Sequence, residues 1–385
     1  MALASPRHKN AKEESKMKYF DERDNMFSRF GLVKGTAKYK RYYRDHPDLL
    51  EEDDQARAHV SKTFARLFGI PRHLLEKRKK YLAMLFAGIN FFFRCTGKKT
   101  PLIPDRLLAI GVSMDRDERR RLRSMTLPAS RMANMIQKKA DSKRVAREQT
   151  KVEPEEITRI IKQLALSYGG DVVGITKLQN HYHYSHRGDM FGWGGHYGKE
   201  IIPRYQYAIV VAAALDLEMV KRAPAKETQV ACILGYARTI SVTSQLVLCI
   251  KSLGYDACTD NKVEYMSPMT PLAAYAGIGE IGRCNMLVNQ RYGNRLKIGA
   301  VLTNLPLLAD EPVDFGLVDF CRTCLLCAQK CPAQAISFGE PEMVNGLYQW
   351  PHDGRKCMET WMIMGTGICM ACCPFSLGGD GNVLK

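Results

Sequence analysis

No apolar run in this chain reaches the roughly 18 residues that a membrane-crossing helix needs. The nearest, 81–93, contains Asn90 and is flanked by Lys79, Lys80 and Arg94, so it reads as a buried helix. The first residues, Met1-Ala-Leu-Ala-Ser-Pro-Arg-His-Lys9, lack the basic and apolar regions of a secretory signal. The Arg119-Arg120-Arg121 cluster lies too deep to serve as a twin-arginine export signal, so any leader of a natural precursor is expected to be missing from this sequence. There is no low-complexity tract, and no internal repeat beyond two groups of cysteines, so a repeat architecture is not expected.

What is present is ample for a folded core. With 385 residues and 45% hydrophobic content, the chain can bury a large interior and divide into two or three domains. Its net charge of +17 is unevenly placed. Residues 1–150 hold 35 of the 57 Lys and Arg and 18 of the 40 Asp and Glu, which leaves +17; the other 235 residues carry 22 of each and sum to zero. A basic front half can meet nucleic acid, anionic lipid or an acidic redox partner. The basic runs at 77–80, 116–123 and 138–147 alternate with acids and apolar residues as solvated helix faces do, and nucleic acid is not the expected partner.

The cysteines carry the clearest chemistry. Cys321, Cys324, Cys327 and Cys331 are spaced two, two and three residues apart and followed by Pro332. That is the bacterial ferredoxin run, in which three sulfurs converge on one iron–sulfur cube and the fourth reaches a neighbouring cluster. A second group holds Cys357, Cys369, Cys372 and Cys373, the last before Pro374. Eight thiols in two such groups read as two 4Fe–4S clusters, in preference to structural zinc or a disulfide framework. Because the Cys before Pro serves the opposite cluster, Cys321, Cys324, Cys327 and Cys373 are expected to hold one cluster. Cys331, Cys357, Cys369 and Cys372 are then expected to hold the other. Cys95, Cys232, Cys249, Cys258 and Cys284 lack ligand spacing and read as buried free thiols.

Residues 1–65 are polar and aromatic-rich and read as a wrapping arm; 66–150 read as helices broken by Pro71, Pro101, Pro104 and Pro128. From Glu153-Pro154-Glu155-Glu156, an apolar stripe of Ile157, Ile160, Ile161 and Leu164 predicts an amphipathic helix ending at Gly169-Gly170. Strands are predicted at 171–176, at the continuous apolar run 207–215 and at 297–302, with a long helix over about 227–253 closed by Gly254. This alternation makes 151–309 an α/β or α+β core, and 310–385 a separate cluster module.

Two motifs mislead. Gly277-Ile-Gly279-Glu-Ile-Gly282 matches a dinucleotide fingerprint literally, but 267–271 holds two prolines where a strand is required, and the next acid after Glu280 is Asp310. These glycines are expected to let backbone pack closely. His181, His183 and His186 crowd into six residues without a carboxylate or Cys at ligand spacing, and read as a polar loop lining a pocket. Tyr236, inside the long helix, reads alone as a core residue. A tyrosine hydroxyl stays protonated at neutral pH and a nearby cation favours its phenolate, so beside a reducing centre it can donate a proton.

Several segments together resemble the corrinoid- and iron–sulfur-dependent reductive dehalogenase family. They are Tyr19-Phe-Asp-Glu-Arg-Asp-Asn-Met-Phe-Ser-Arg29, Tyr184-Ser-His-Arg-Gly188, Leu234-Gly-Tyr236 with Leu253-Gly-Tyr255, and Ala276-Gly-Ile-Gly-Glu-Ile-Gly-Arg283. Arg291-Tyr-Gly-Asn-Arg-Leu-Lys297, Leu302-Thr-Asn-Leu-Pro-Leu307 and Asp314-Phe-Gly-Leu-Val-Asp-Phe-Cys321 complete the series in order. The resemblance implies an α+β fold, with a nitroreductase-like corrinoid-binding core and a C-terminal ferredoxin-like two-cluster module. It also implies a cobamide held base-off, which agrees with the absence of Asp-x-His-x-x-Gly, and electrons passing through the clusters to cobalt to break a carbon–halogen bond. By the same resemblance Tyr236 is the proton donor, Arg295 or Lys297 its cationic partner, and Asn261 a polar pocket residue. Tyr184, His186, Gly277, Gly279 and Gly282 are expected around the cofactor.

The implied partners are a small organohalide, a redox electron donor and a membrane anchor protein or membrane surface, with a homodimer also compatible. The implied place is the outer face of the cytoplasmic membrane if the precursor is exported, and the cytoplasm otherwise. Two departures stand out. Aligned from Pro374, the family's second cysteine run puts one position on Thr366; aligned from Cys357, Cys369 and Cys372 fit but Cys372 then abuts Cys373. Only 11 residues follow Pro374, so part of the cofactor cover is expected to be missing. The competing readings are an epoxyqueuosine-reductase-like enzyme acting on tRNA, whose Asp-Tyr-His motif is not found here, and a ferredoxin-like carrier, which needs no 300 residues before its clusters.

Overall fold

The computed structural model describes residues 17–67, 116–188, 196–261, 265–365 and 367–378. The stretch 81–93, Cys95, Pro71, Pro101, Pro104, the basic run at 77–80 and Thr366 lie outside them. Among the described residues, helices α1 (Met26–Phe30), α2 (Ala37–Asp45), α3 (Leu50–Leu67) and α4 (Arg116–Ser142) come first. The core follows: α5 (Pro154–Ser167), β1 (Val172–Lys177), β2 (Tyr207–Ala214), α6 (Leu217–Lys221), α7 (Lys226–Ser252), β3 (Ala257–Asp260) and α8 (Met269–Tyr275). A hairpin of β4 (Glu280–Ile281) and β5 (Leu287–Val288) leads into β6 (Leu296–Thr303). The cysteine segment comprises α9 (Leu317–Cys324), α10 (Leu326–Lys330), β7 (Glu342–Val344), β8 (Leu347–Gln349), α11 (Gly354–Met364), α12 (Ile368–Ala371) and α13 (Pro374–Leu377).

The central sheet has the order β1-β2-β6-β3, and every pairing is antiparallel. It is a mixed α and β architecture. Successive side chains of a strand face opposite ways, and in β2 both faces are apolar. Ile209 and Val211 join Ile157, Ile161, Val242, Leu246 and Ile250 in one cluster. Ala208, Val210 and Ala212 join Leu272, Leu287 and Leu302 in the other. The continuous run thus lies between α5 and α7 on one face and α8 with the β4–β5 hairpin on the other. Each fully buried aliphatic side chain contributes about 1.5–3 kcal/mol.

Helix α7 is by length and composition apolar enough to cross a membrane, but half of its most apolar stretch is buried inside the fold. Its C-terminus is closed by Gly254 at φ +86°, a left-handed conformation that glycine adopts without strain.

Two features depart from the sequence reading. Pro128 does not break its helix but lies inside α4. A mid-helix proline costs about 3 kcal/mol, and tertiary contacts oppose that cost: Ala140 is fully buried, and the Lys251 ammonium donates to the carbonyls of Ala140 and Asp141 at 3.1 and 2.9 Å. In addition, α4 belongs with the core, since the Asp141 carboxylate accepts from both the backbone and the hydroxyl of Thr259 on β3.

The N-terminal segment reaches far along the chain. Phe20 pairs with Tyr184, Lys18 exchanges hydrogen bonds with Asn345, and Val60 of α3 packs on Met358 of α11. Buried Asp53 accepts from Arg29 and from the Tyr43 hydroxyl, fixing α1 to α3.

Candidate active site and cysteine cavity

Tyr236 sits on α7 directly after Gly235, and that glycine sets the approach of helix to strand. A Cβ on Gly235 would meet the Lys297 Cγ at 2.9 Å and a Leu215 methyl at 2.5 Å. With only hydrogen there, α7 lies close on β6 and Lys297 comes under the helix. Its Nζ stands 4.9 Å from the Tyr236 ring centroid, within cation–π range. Burial by itself lowers the Lys297 pKa, but Cys232, one turn before Tyr236, and Tyr236 itself raise it above the ordinary lysine value, so the ammonium is retained.

Arg295, two residues earlier, goes elsewhere. Its Nη1 donates to the Leu215 carbonyl at 2.6 Å and its guanidinium lies 5.5 Å from the Tyr292 ring. The structure therefore brings Lys297, and not Arg295, to Tyr236. Asn261 is buried; its Nδ2 donates to the Thr243 hydroxyl at 2.9 Å, while its Oδ1 has no partner among the described residues. Gly299 makes room for that carbonyl, since a Cβ there would come within 2.2 Å of it.

Behind Tyr236 lies a buried acidic group that sequence reasoning missed. Tyr265 hydrogen-bonds the Tyr236 side chain, and burial, the Tyr236 charge and Asp260 push its hydroxyl well above the ordinary pKa. Asp260 is fully buried and accepts from the Met266 amide at 2.8 Å; burial pushes it up to about 7. Glu22, from the N-terminal segment, is buried as well and accepts from the Gly188 amide at 2.6 Å. Burial, with Asp260 as a further cause, pushes it up to about 7. Tyr184 faces this pair: burial first, then Glu22 and Asp260, raise its pKa.

His183 is buried and held neutral, its pKa lowered by burial to about 4; its Nδ1 is 3.4 Å from the Ser267 hydroxyl and its Nε2 has no partner among the described residues. His186 lies 3.4 Å from Asp21, at the N-terminal segment. His181 packs edge-on against Tyr182 and Tyr275. Among the described residues no three His, Cys, Asp or Glu side chains converge tightly enough to hold one metal ion. Gly277, Gly279 and Gly282 abut protein: their Cβ atoms would meet the Glu311 carbonyl at 2.4 Å, the Val288 carbonyl at 2.2 Å and a Val288 methyl at 2.8 Å.

The cysteine segment and the β4–β5 turn line a small, partly open cavity that brings together Cys321, Cys324, Cys327, Cys369, Cys373 and Cys284. Leu325, at φ +53°, turns the chain between α9 and α10, so that the spaced thiols face inward. Arg283 braces this turn from the core. It is buried, donates to the carbonyls of Cys321, Ser337 and Gly339 at 2.8, 2.8 and 3.0 Å, and lies 5.3 Å from the Trp350 ring. Burial, then Cys331, pushes the Cys357 thiol up to about 11. Burial likewise pushes Cys321 to about 11 and Cys373 to about 12. The thiols surround a space instead of meeting at a point, which suits a polynuclear cluster.

The two sites adjoin through α12. Met370 packs with Leu215, Val220 and Ala231, beside Cys232. A Cβ on Gly367 would press on the Thr228 methyl at 2.7 Å, in the first turn of the helix that bears Tyr236.

No family model matches the chain. Among curated proteins it is 29% identical over 259 residues to the tetrachloroethene reductive dehalogenase of Sulfurospirillum multivorans, covering 59% of this chain and 51% of that protein. A shorter match, 34% over 115 residues, is to the epoxyqueuosine reductase of Lactococcus garvieae, covering 28% of this chain and 31% of that one. Among solved structures, a reductive dehalogenase described as suggesting a mechanism for B12-dependent dehalogenation superposes with a TM-score of 0.56 at 27% identity, over 65% of this chain and 36% of that one. The chain spans about half the length of the curated dehalogenases it matches. Likeness of sequence and likeness of fold agree: the chain is similar to reductive dehalogenases in both.

Proposed function

We propose that this protein reductively removes halide from a small organohalide: two electrons and one proton convert the carbon–halogen bond to carbon–hydrogen and release halide. The observation that carries the proposal is the pairing of partly buried Lys297 with Tyr236, 4.9 Å from ammonium to ring centroid. Tyr236 donates its hydroxyl proton to the carbon that loses halide, and Lys297 stabilises the phenolate left behind. Tyr265, hydrogen-bonded to Tyr236 and backed by Asp260 and Glu22, holds the ring in place.

Two groups complete the site. Two 4Fe–4S clusters would be held by Cys321, Cys324, Cys327 and Cys373 on one side and by Cys331, Cys357, Cys369 and one further thiolate, Cys372 in the sequence reading, on the other. A cobamide, bound base-off, would supply the low-valent cobalt chemistry that cleaves the carbon–halogen bond. His183 Nε2 and Asn261 Oδ1, buried without partners among the described residues, are what a site completed by a ligand's own polar groups leaves. Tyr184 and His186 would flank that ligand, while Gly277, Gly279 and Gly282 would hold the loop beneath it. Electrons come from an external redox donor, and the basic front half suits an acidic donor or an anionic membrane surface with its anchor protein.

Anaerobic measurement of iron, sulfide and cobalt in protein made with cobamide supplied tests the reading; about eight irons and one cobalt per chain are expected. Absence of cobalt overturns it. Chlorinated ethenes are the first substrates to try. Tyr236→Phe with metal contents equal to the parent should lose about 10²–10⁴ in rate. The local likeness to epoxyqueuosine reductase favours a second reading, action on tRNA, which tight salt-sensitive tRNA binding would support.

A further inference from the structure

We propose that Cys284 is a cluster ligand, supplying the fourth thiolate of the second cluster in place of Cys372. This deepens the two-cluster reading above and rests on it. Cys284 belongs to neither spaced group, and its sequence surroundings, Gly282-Arg-Cys-Asn-Met286, carry no ligand pattern. The β4–β5 turn nevertheless delivers it into the cysteine cavity. It is 8% exposed, and its side chain packs with Cys327 from the first group, with Cys331 and with Cys369 from the second.

The other described cysteines outside the groups do not share this place. Cys232 contacts Lys297, Cys258 contacts Tyr205, and Cys249 lies near Lys143. None of them lines the cavity.

The surroundings of Cys284 suit a metal-bound thiolate. Asn294 Nδ2 donates to its sulfur at 3.3 Å. Hydrogen bonds to sulfur are among the features by which a protein tunes an iron–sulfur cluster. Asn294 itself is held rigidly: Nδ2 also donates to the Cys369 carbonyl at 3.2 Å, and Oδ1 accepts from the Ser376 hydroxyl at 2.6 Å. One buried amide therefore ties Cys284 to Cys369 and to the turn after Cys373-Pro374. Gly293 seals the same contact, at φ +60°, where a Cβ would meet the Ser376 backbone nitrogen at 2.3 Å.

Ligand arithmetic completes the argument. With Cys321, Cys324, Cys327 and Cys373 on the first cluster, the second has Cys331, Cys357 and Cys369 and requires one more. Cys372 immediately precedes Cys373, which the first cluster takes, and its sulfur lies 3.9 Å from the Cys369 carbonyl. Cys284 is already beside Cys369. Ligation replaces the S–H bond with an S–Fe bond and releases one proton to solvent, with no change of oxidation state.

The test uses full-length protein loaded anaerobically with iron and sulfide, comparing parent, Cys284→Ser and Cys372→Ala by metal content and low-temperature EPR. Cys284→Ser should fall from about eight irons to between about four and seven, with the signal of a degraded, three-iron cluster in the oxidised protein. Cys372→Ala should keep all its iron. In the loaded parent, Cys372 should react with iodoacetamide before the iron is chelated, a readout that does not depend on any variant folding. If Cys284→Ser keeps about eight irons with an unchanged spectrum, or Cys372 is protected until chelation, the assignment of Cys284 is overturned while the two-cluster reading stands. If the parent itself binds no iron, the two-cluster reading falls first.

Discussion

Replacing Lys297 by Gln asks how much of the chemistry depends on one partly buried charge. The Nζ stands 4.9 Å from the Tyr236 ring centroid. A unit charge about 5 Å from a phenolate is worth about 3 kcal/mol at an effective dielectric of about 20. Tyr236 is only partly buried, and a doubled effective dielectric leaves about 1.5 kcal/mol. The range from about 1.5 to 3 kcal/mol corresponds to about 10–10²-fold in the rate of proton donation. Gln keeps the length and polarity of the stem, so the strand should pack as before.

The assay is halide release under conditions limited by chemistry, with iron and cobalt verified equal to the parent. A double-mutant cycle makes it decisive. In Tyr236→Phe no phenolate forms, so adding Lys297→Gln should slow the reaction no further. Lys297→Arg, which keeps the charge, should recover most of the loss. Arg295→Gln is the contrast: because Arg295 is tied to the Leu215 carbonyl and Tyr292, it should lower thermal stability and change turnover less than about threefold. Near-parental turnover of Lys297→Gln, or full additivity with Tyr236→Phe, would refute the pairing.

Two further outcomes follow from the buried charges. Glu22 and Asp260 are both pushed up to about 7 by burial, so the folded state binds protons that the unfolded state has lost between about pH 4 and 7. Stability is therefore full below that window and declines as pH rises through it, by at most about 3 kcal/mol for Glu22 alone; Glu22→Gln should flatten the dependence of Tm on pH between 5 and 8, and an unaltered profile would show that Glu22 does not titrate there. Arg29→Ala should destabilise by about 3–5 kcal/mol, because it leaves fully buried Asp53 without its ion pair; a denaturant midpoint within error of the parent would contradict this, and Asp53→Asn in the same background should restore part of the loss.

The central sheet and its long helix were legible because their signals are local. The run 207–215 has no polar interruption, and Gly254 supplies the left-handed cap that ends α7. Strand β3 was missed because Ala-Cys-Thr-Asp has neither an apolar run nor strict alternation; it forms because β6 offers it an edge. Pro128 was overweighted for the same reason: propensity reads the covalent chain, whereas the helix is held by contacts from Lys251, more than a hundred residues away.

The site divides along the same line. Ligand spacing announces cysteines that share one turn, so Cys321, Cys324, Cys327 and Cys331 were plain from sequence, and the cavity contains three of them. Strand periodicity placed Arg295 and Lys297 on one side but could not choose between them. The choice depends on Gly235, which lets α7 approach at Lys297, and on the Leu215 carbonyl, which takes Arg295. Cys284 and Tyr265 lie in no motif, and Arg283 and Asn294, though inside segments that resemble the family, carry no sign there of what they hold. Their roles arise because the β4–β5 hairpin is anchored on both sides: Arg283 grips the carbonyls around Cys321, and Asn294 grips Cys369 and Ser376. A residue between two such anchors has little freedom in where it points. The ninth thiol therefore reaches the cavity through the packing of the core against the cysteine segment, and a sequence pattern confined to that segment could not have located it.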